Sequence, residues 1–560
     1  MNLRSEEVRS VPENSMQRGL FKSMGFDDES LSRPLVGVAN SWNTIVPGSY
    51  NLKKVGEAVK EGIWQAGGTP LEYGVISACD GIAQGHDGMH YILPTREIIA
   101  NSVELMVQAH RLDGMVLLGS CDKIIPGMLM AAARLENLPA IVVPGGPMEG
   151  GACFDGRRAD ITSLTEALGM LEEGKIDVED VKELENTAGP TCGSCSFLGT
   201  ANTMSALAEA LGMTVPGAGT ALATSAKRTR LARESGRQIV SLIEKNITTG
   251  DVITKASLKN AIKTNISIGG STNAILHILA LAYEAGIDLT IDLFEKYTHE
   301  IPYLAKIYPS TKEYNVPDFE RAGGVQALFS NLIEFLDANA MTITGNTVEE
   351  NLSGQEFPES DLIRSPENPH AGEGGVAILK GNIAPGTGVS KPSAIDPSMH
   401  QFTGTARVFN SEEAANKAII NDEVVSGDVV VIKYEGPKGG PGMREMYKPL
   451  KLLYGKGLAL ETAVVTDGRF SGTNNGCFVG HISPEAYEGG PLAAVKEGDK
   501  ISIDIAERDI HLHVEEEEIK SRMEDWTPPT PKITRGYLAT YAQLAESASK
   551  GAIIQSRLEK

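Results

Sequence analysis

The stretch Gly114-Met115-Val116-Leu117-Leu118-Gly119-Ser120-Cys121-Asp122-Lys123-Ile124-Ile125-Pro126-Gly127-Met128 decides the fold class. Its apolar run from Met115 to Leu118 has the pattern of a short buried strand, and the Ala-rich segment from Met128 to Leu135 that of a helix. Between them lies a loop with a thiol, a carboxylate and an amine on consecutive residues. A strand end that opens onto a helix is where α/β sheets hold ligands. Thiolate prefers iron or zinc, while carboxylate prefers magnesium, calcium or manganese. One loop carrying both suits two adjacent metal centres. A half-buried cysteine beside a surface Asp-Lys pair fits the same residues equally well.

Outward from this loop the pattern repeats. Pro34 to Asn40 reads as a strand followed by a polar loop to Gly48, and Leu52 to Ala66 as a helix stopped by Gly67-Gly68. Tyr73 to Ala78 reads as a strand ending at Cys79-Asp80-Gly81, again a thiol next to a carboxylate. Arg96 to His110 reads as a helix, and Pro139 to Val143 as a strand before a glycine loop. Strands alternating with helices predict an α/β N-terminal domain with a largely parallel sheet over residues 34–345, behind a polar N-terminal arm at 1–33. Within it, Cys192-Gly193-Ser194-Cys195 stands at the predicted start of a helix from Ser196 to Leu211. A helix dipole there would lower the thiol pKa. Metal ligation is favoured over a redox pair, because no thioredoxin-sized domain surrounds it. Gly269-Gly270-Ser271-Thr272-Asn273 precedes an apolar helix, where backbone amides could hold a carboxylate or a Ser/Thr cap could simply start the helix.

Residues 346–375 shift to Glu, Asn, Ser, Pro and Gly and read as a linker. Beyond it, short β-rich runs separated by turn signals predict a C-terminal β-barrel-like domain over 376–560. Two of its loops stand out: Glu435 to Glu445, rich in glycine and ending in a carboxylate, and Asp467-Gly468-Arg469-Phe470-Ser471-Gly472.

The bulk numbers agree with a soluble globular protein of two or more domains. A chain of 560 residues is too long for one core. Its net charge of −22 argues against nucleic-acid or anionic-membrane partners. No apolar run reaches the roughly 18 residues of a membrane span, and the charged N-terminus has no secretory pattern. The cytoplasm is therefore the expected location, and the six cysteines are expected as reduced thiols or metal ligands.

Taken together, the motifs resemble the dihydroxy-acid dehydratase and phosphogluconate dehydratase family (ILVD/EDD). The matching pieces are CDGIAQGHDGM at 79–89, PTREIIANSVE at 94–104, CDKIIPGM at 121–128, GGPM at 145–148 and PTCGSCS at 190–196. They continue with GGSTN at 269–273, RAGG at 321–324, YEGPKGGPGMREM at 434–446, TDGRFSG at 466–472 and KGA at 550–552. The resemblance runs almost end to end.

It implies a homodimer or dimer of dimers that removes water from a 2,3-dihydroxy acid to give a 2-oxo acid. The substrates expected are 2,3-dihydroxy-3-methylbutanoate and its methylpentanoate homologue, in valine and isoleucine biosynthesis. A sugar acid (an aldonate or 6-phosphogluconate) is the alternative, and a non-catalytic iron–sulfur sensor a remote one. By the same resemblance, Asp80, Asp122 and Glu445 match magnesium ligands, and Lys123 matches a lysine that is carbamylated to give a further oxygen. Ser471 matches the catalytic base. Cys121 and Cys195 match iron–sulfur ligands. Family members with a 2Fe-2S cluster carry Cys at the position of Gly48 and usually Ser at that of Cys79. The reversed pattern here favours Cys79 as the third ligand of a 4Fe-4S cluster, with Cys192 as its competitor and 2Fe-2S as the alternative cluster. Ser271, Thr272 and His481 are further candidates for contact with a small carboxylate substrate.

Overall fold

Four parallel strands make the N-terminal sheet: β1 (Leu35–Asn40), β2 (Thr69–Gly74), β3 (Gly114–Gly119) and β4 (Ala140–Pro144), side by side in the order β2-β1-β3-β4. The structure, a computed structural model, describes residues 3–472 and 475–557. β1, β3 and β4 are buried along their whole length, as apolar runs covered on both faces must be. β2 is the edge strand and alternates between half-buried and exposed from Leu71 onward. Chain order reverses between β1 and β3, and such a switch point opens a crevice beyond the carboxyl ends of the strands. The loop after β3, with Cys121, Asp122 and Lys123, lies in it.

Three helices bring the crevice its other walls. α1 (Leu52–Gln65) covers the sheet, α2 (Thr95–Ala109) packs against α3 (Ile124–Arg134), and α3 starts directly after Lys123. The expected second strand was placed too late. β2 ends at Gly74 because its partner β1 ends at Asn40, and only Val75 N–H still donates to the Asn40 carbonyl, at 2.9 Å. Cys79 and Asp80 therefore sit in a loop beyond the sheet. The small hairpin of β5 (Cys153–Phe154) and β6 (Arg157–Arg158) leads to α4 (Ser163–Glu172).

The helix after the CxxC motif, α5 (Thr200–Ala210), also starts later than expected. Asn202 reaches back and donates to the carbonyls of Cys195 and Phe197, which holds the preceding residues as an irregular loop. α6 (Ala226–Lys245), α7 (Lys255–Ser267) and α8 (Asn273–Glu284) complete the framework used below. Residues 346–375 carry the short helix Val348–Leu352 and pair back onto the N-terminal domain at Ala305–Ile363 and Tyr303–Ala371.

The C-terminal domain is a closed eight-stranded barrel with its own apolar core. Its strands are β7 (Ala377–Gly381), β8 (Ala384–Ser390), β9 (Gln401–Phe409), β10 (Asp428–Ile432), β11 (Ala463–Thr466), β12 (Cys477–Ser483), β13 (Lys500–Asp504) and β14 (Asp509–Leu512). β9 to β12 run parallel in the order β9-β10-β11-β12. β8 closes the ring against β12, with a shift in register at Gly480–Ser483. α9 (Tyr447–Gly455) lies between β10 and β11. No helix among the described residues is long and apolar enough to cross a membrane.

Candidate active site

The domains meet around three carboxylates. Asp80 comes from the loop after β2, Asp122 from the loop after β3, and Glu445 from the barrel loop before α9. One oxygen of each lies within 4.8 Å of the others. Lys123, buried at the start of α3, donates to Asp80 Oδ2 at 2.7 Å and to Asp122 Oδ2 at 3.4 Å, and stands 3.9 Å from Glu445 Oε2. Arg469 Nη1 donates to Glu445 Oε2 at 2.9 Å, and Asn273 Nδ2 donates to the same oxygen at 3.0 Å. The Ser471 hydroxyl lies beside the Glu445 carboxylate and helps to lower its pKa.

The electrostatics follow from this crowding. Burial and the Asp80 charge push the Asp122 carboxyl up to about 7. Burial also acts on Glu445, but Arg469 and Lys123 outweigh it and hold that carboxyl below its ordinary range. Asp80 Oδ1 is buried without a hydrogen-bond partner among the described residues. An all-oxygen donor set with an unsatisfied carboxylate oxygen fits a hard divalent cation such as magnesium.

Cys79, Cys121 and Cys195 line one cavity of about 120 Å³, together with Asp80, Asp122, Glu445 and Ser471. Cys192, the alternative third thiol, is not part of that lining. Cys121 has φ 69°, a left-handed conformation that costs a non-glycine residue about 1–3 kcal/mol and clusters at functional sites. The expected lowering of the thiol pKa by a helix start is not found. Burial pushes the Cys195 thiol up instead, because the helix of that motif starts only at Thr200, and burial raises Cys79 and Cys121 as well. Three neutral thiols converging this way suit a soft metal, which displaces their protons on binding. Gly48 faces the same sulfur: a Cβ there would stand 2.5 Å from Cys121 Sγ.

Ser271, Thr272 and His481 lie outside the cavity lining. The Ser271 and Thr200 hydroxyls share a hydrogen bond at 2.9 Å, and Ser271 Oγ also accepts from Asn273 N. Thr272 donates to the Phe470 carbonyl, which ties the start of α8 to the Ser471 loop. His481 is buried in the β12 irregularity at φ 55°, and burial with the Arg469 charge pushes its imidazole down to about 3. Sequence reasoning missed Arg469 and Asn273, although both fall inside the quoted motifs. The charge requirement of Glu445 was the signal that would have found them. It also missed Ile161, Thr162, Thr165, Phe197 and Tyr447 in the cavity wall.

The dihydroxy-acid/6-phosphogluconate dehydratase N-terminal model matches residues 33–351, and the corresponding C-terminal model matches 361–552. A dihydroxy-acid dehydratase of Caldanaerobacter subterraneus subsp. tengcongensis is 49% identical over 99% of both chains. One from Acetivibrio thermocellus is 48% identical over 99% of this chain and 100% of its own. One from Pyrococcus furiosus is 49% identical, again over 99% and 100%. With both family models matched in order and relatives of this identity over the full length, the chain belongs to the dihydroxy-acid/6-phosphogluconate dehydratase family and is a dehydratase.

Proposed function

We propose that this dehydratase acts on short, branched 2,3-dihydroxy acids, 2,3-dihydroxy-3-methylbutanoate and 2,3-dihydroxy-3-methylpentanoate, within valine and isoleucine synthesis. The observation that carries this reading is the composition of the cavity. Thiols, carboxylates and Ser471 make one wall, and Ile161, Phe197 and Tyr447 contribute to another. The lining contains no lysine or arginine among the described residues, so a terminal phosphate would have no cationic partner there. Apolar side chains suit the methyl and ethyl groups of the branched acids.

Asp80, Asp122, Glu445 and a carbamylated Lys123 would hold a magnesium ion, which when bound supplies positive charge to the substrate carboxylate and C2 oxygen. Cys79, Cys121 and Cys195 would hold an iron–sulfur cluster, 4Fe-4S in preference to 2Fe-2S, which when bound supplies a Lewis acid for the departing C3 hydroxide. Ser471 takes the C2 proton as an alkoxide, its own hydroxyl proton having first passed to solvent. Its hydroxyl lies beside the Glu445 carboxylate and helps to hold that carboxyl below its ordinary range. Arg469 and Asn273 fix that carboxylate and with it the position of the base. The apolar wall orients C3 and excludes water from it. Assembly as a homodimer or dimer of dimers, in the cytoplasm, goes with this reading.

A sugar acid is the second reading, because Thr162 and Thr165 line the cavity and the buried Thr162 hydroxyl has no partner among the described residues. Asn202 is less free to serve, being committed to two backbone carbonyls and to the Ser194 hydroxyl. An anaerobic substrate panel decides. Turnover of 2,3-dihydroxy-3-methylbutanoate well above that of gluconate, xylonate and 6-phosphogluconate is expected. Preference for any of the sugar acids overturns the assignment.

A further inference from the structure

Two hydroxyls in the cavity wall have nothing in the fold to bond to. Thr162 and Tyr447 line the same cavity as Cys195, Glu445 and Ser471. They are 4% and 8% exposed, and neither hydroxyl has a hydrogen-bond partner among the described residues. Thr162 stands at the N-cap of α4, where a threonine hydroxyl usually accepts from a backbone N–H of the first turn. Its backbone is helical instead, and its hydroxyl makes no cap bond. The neighbouring carboxylates are already committed. Glu166 accepts from Arg157 at 2.7 Å, Lys451 at 2.6 Å and Tyr308 at 3.1 Å. Asp160 accepts from Arg157 at 2.8 Å and from Thr162 N at 2.6 Å. Burying an unpaired hydroxyl is costly, and for one in a cavity wall a bound ligand is the available partner.

Helix packing fixes where the two hydroxyls stand. α4 and α9 run side by side in the same direction. Lys451 on α9 bonds Glu166 on α4, and one turn further on the backbones touch: a Cβ at Gly169 would stand 2.6 Å from Gly455 Cα. Thr162 and Tyr447 each lie four residues before Glu166 and Lys451, so they share the facing sides of the two helices one turn nearer the cavity. The same seam is tied to the Cys195 loop. Tyr308, bonded to Glu166, packs edge-on against Phe197 with ring centroids 6.5 Å apart, and its carbonyl accepts from Leu198 N at 2.9 Å. The paired helix starts therefore present a rigid couple of hydroxyls to the part of the cavity that Cys195 and Phe197 line.

We propose that Thr162 and Tyr447 hold the hydroxyl that leaves: the Tyr447 hydroxyl donates to the C3 oxygen of the substrate, and the Thr162 hydroxyl accepts the C3 hydroxyl hydrogen. This rests on the reading of the cavity as a site for 2,3-dihydroxy acids. On that reading the carboxylate and the C2 oxygen lie toward Asp80, Asp122 and Glu445, and the alkyl groups lie against the apolar wall. The C3 hydroxyl is then the substrate's one remaining polar group. The oxygen departs with the electron pair of the C3–O bond and with its own hydrogen, while both residues keep their protons, so the contact needs no further reactant. Negative charge grows on that oxygen as the bond breaks, so the Tyr447 hydrogen bond strengthens toward the transition state. The Tyr447 ring remains part of the apolar wall, and only its hydroxyl serves the leaving group. A C3 hydroxyl is common to branched acids and sugar acids, so the pair serves either tail.

The test removes the contact from either side. Wild-type holoenzyme is compared with Tyr447→Phe and Thr162→Val, which delete the hydroxyls and keep the shapes. Turnover is measured on 2,3-dihydroxy-3-methylbutanoate. Calorimetry measures the binding of 2-hydroxy-3-methylbutanoate, which lacks the C3 hydroxyl and cannot react. Tyr447→Phe is expected to lower kcat by about 10–100-fold, and Thr162→Val by about 2–10-fold. Both should bind the C3-deoxy acid as the wild type does, and neither unliganded variant should melt below the wild type. Unchanged turnover overturns the proposal, as does an equal loss of affinity for the C3-deoxy acid. A lower thermal midpoint also overturns it, since the hydroxyls would then have partners within the fold. Gluconate and 3-deoxygluconate are run in parallel. Turnover of gluconate alone overturns the branched-acid reading, and the same comparison on that pair then decides the role of Thr162 and Tyr447. A wild type that turns over neither acid overturns both.

Discussion

Lys391 gives the sharpest test of the structure. It follows β8, is fully buried, and its Nζ has no hydrogen-bond partner among the described residues. Its stem packs against Gly472, the residue after Ser471, where φ is +86° and no side chain would fit. Burial pushes its amine down from 10.5 to about 7. At about 1.4 kcal/mol per tenfold change in proton affinity, that displacement corresponds to about 5 kcal/mol. The sign follows from proton counting. Between pH 7 and 10.5 the unfolded chain keeps the proton that the folded one has released, so stability rises with pH across that window. The full penalty applies below pH 7 and is absent above 10.5. Lys391→Met keeps the length of the stem and removes the charge. Its thermal midpoint is expected to exceed that of the wild type by on the order of 10 °C at pH 6, using about 2–4 °C per kcal/mol for a domain of the barrel's size. The gain should shrink steadily toward pH 10. Midpoints are measured for both proteins from pH 6 to 10 in otherwise identical buffers. A variant that is less stable than the wild type at pH 6, or a gain that does not change with pH, refutes the reasoning: the amine would then be charged and paired.

Three further outcomes follow from the site. Ser471→Ala should lower kcat by about 10²–10⁴-fold while keeping wild-type iron absorbance, and unchanged turnover would remove Ser471 from the mechanism. Gly48→Ala should lose iron, because its Cβ would stand 2.5 Å from Cys121 Sγ and 2.8 Å from Ser120 Oγ, forcing the thiol to retreat by about 1 Å from an ordinary contact. Iron counting on anaerobically purified protein checks this, and a full complement would show that Cys121 is not held where the structure puts it. Phe197→Ala should cost about 10–100-fold in kcat/KM for the branched dihydroxy acids by removing an apolar wall, with less effect on a sugar acid. Equal losses on both substrates would assign Phe197 to packing alone.

Much of the architecture is local information. Met115 to Leu118 reads as a short buried strand, and the fully buried β3 is that strand. Alternation of such runs with amphipathic helices determined the parallel sheet, and regular turn signals determined a β-rich second domain. Where the reading failed, distant partners decided. β2 stops at Gly74 because β1 stops at Asn40. β8 contains Pro385 and Gly386, residues common in turns, and is nonetheless a strand because the barrel closes through it. The helix after Cys195 waits for Thr200 because Asn202 ties down the loop before it. The sequence by itself determined which groups were available: thiols beside carboxylates at 79–80 and 121–122, a glutamate at 445 and a serine at 471. Only the tertiary structure decided that Asp80, Asp122 and Glu445 share one site, that Cys79 and not Cys192 lines it, and that Arg469 and Asn273 hold Glu445 in place. The reason is physical. A motif specifies a side chain's chemistry, but charge balance and hydrogen-bond satisfaction are properties of neighbours hundreds of residues apart, and these exist only once the barrel has packed against the sheet.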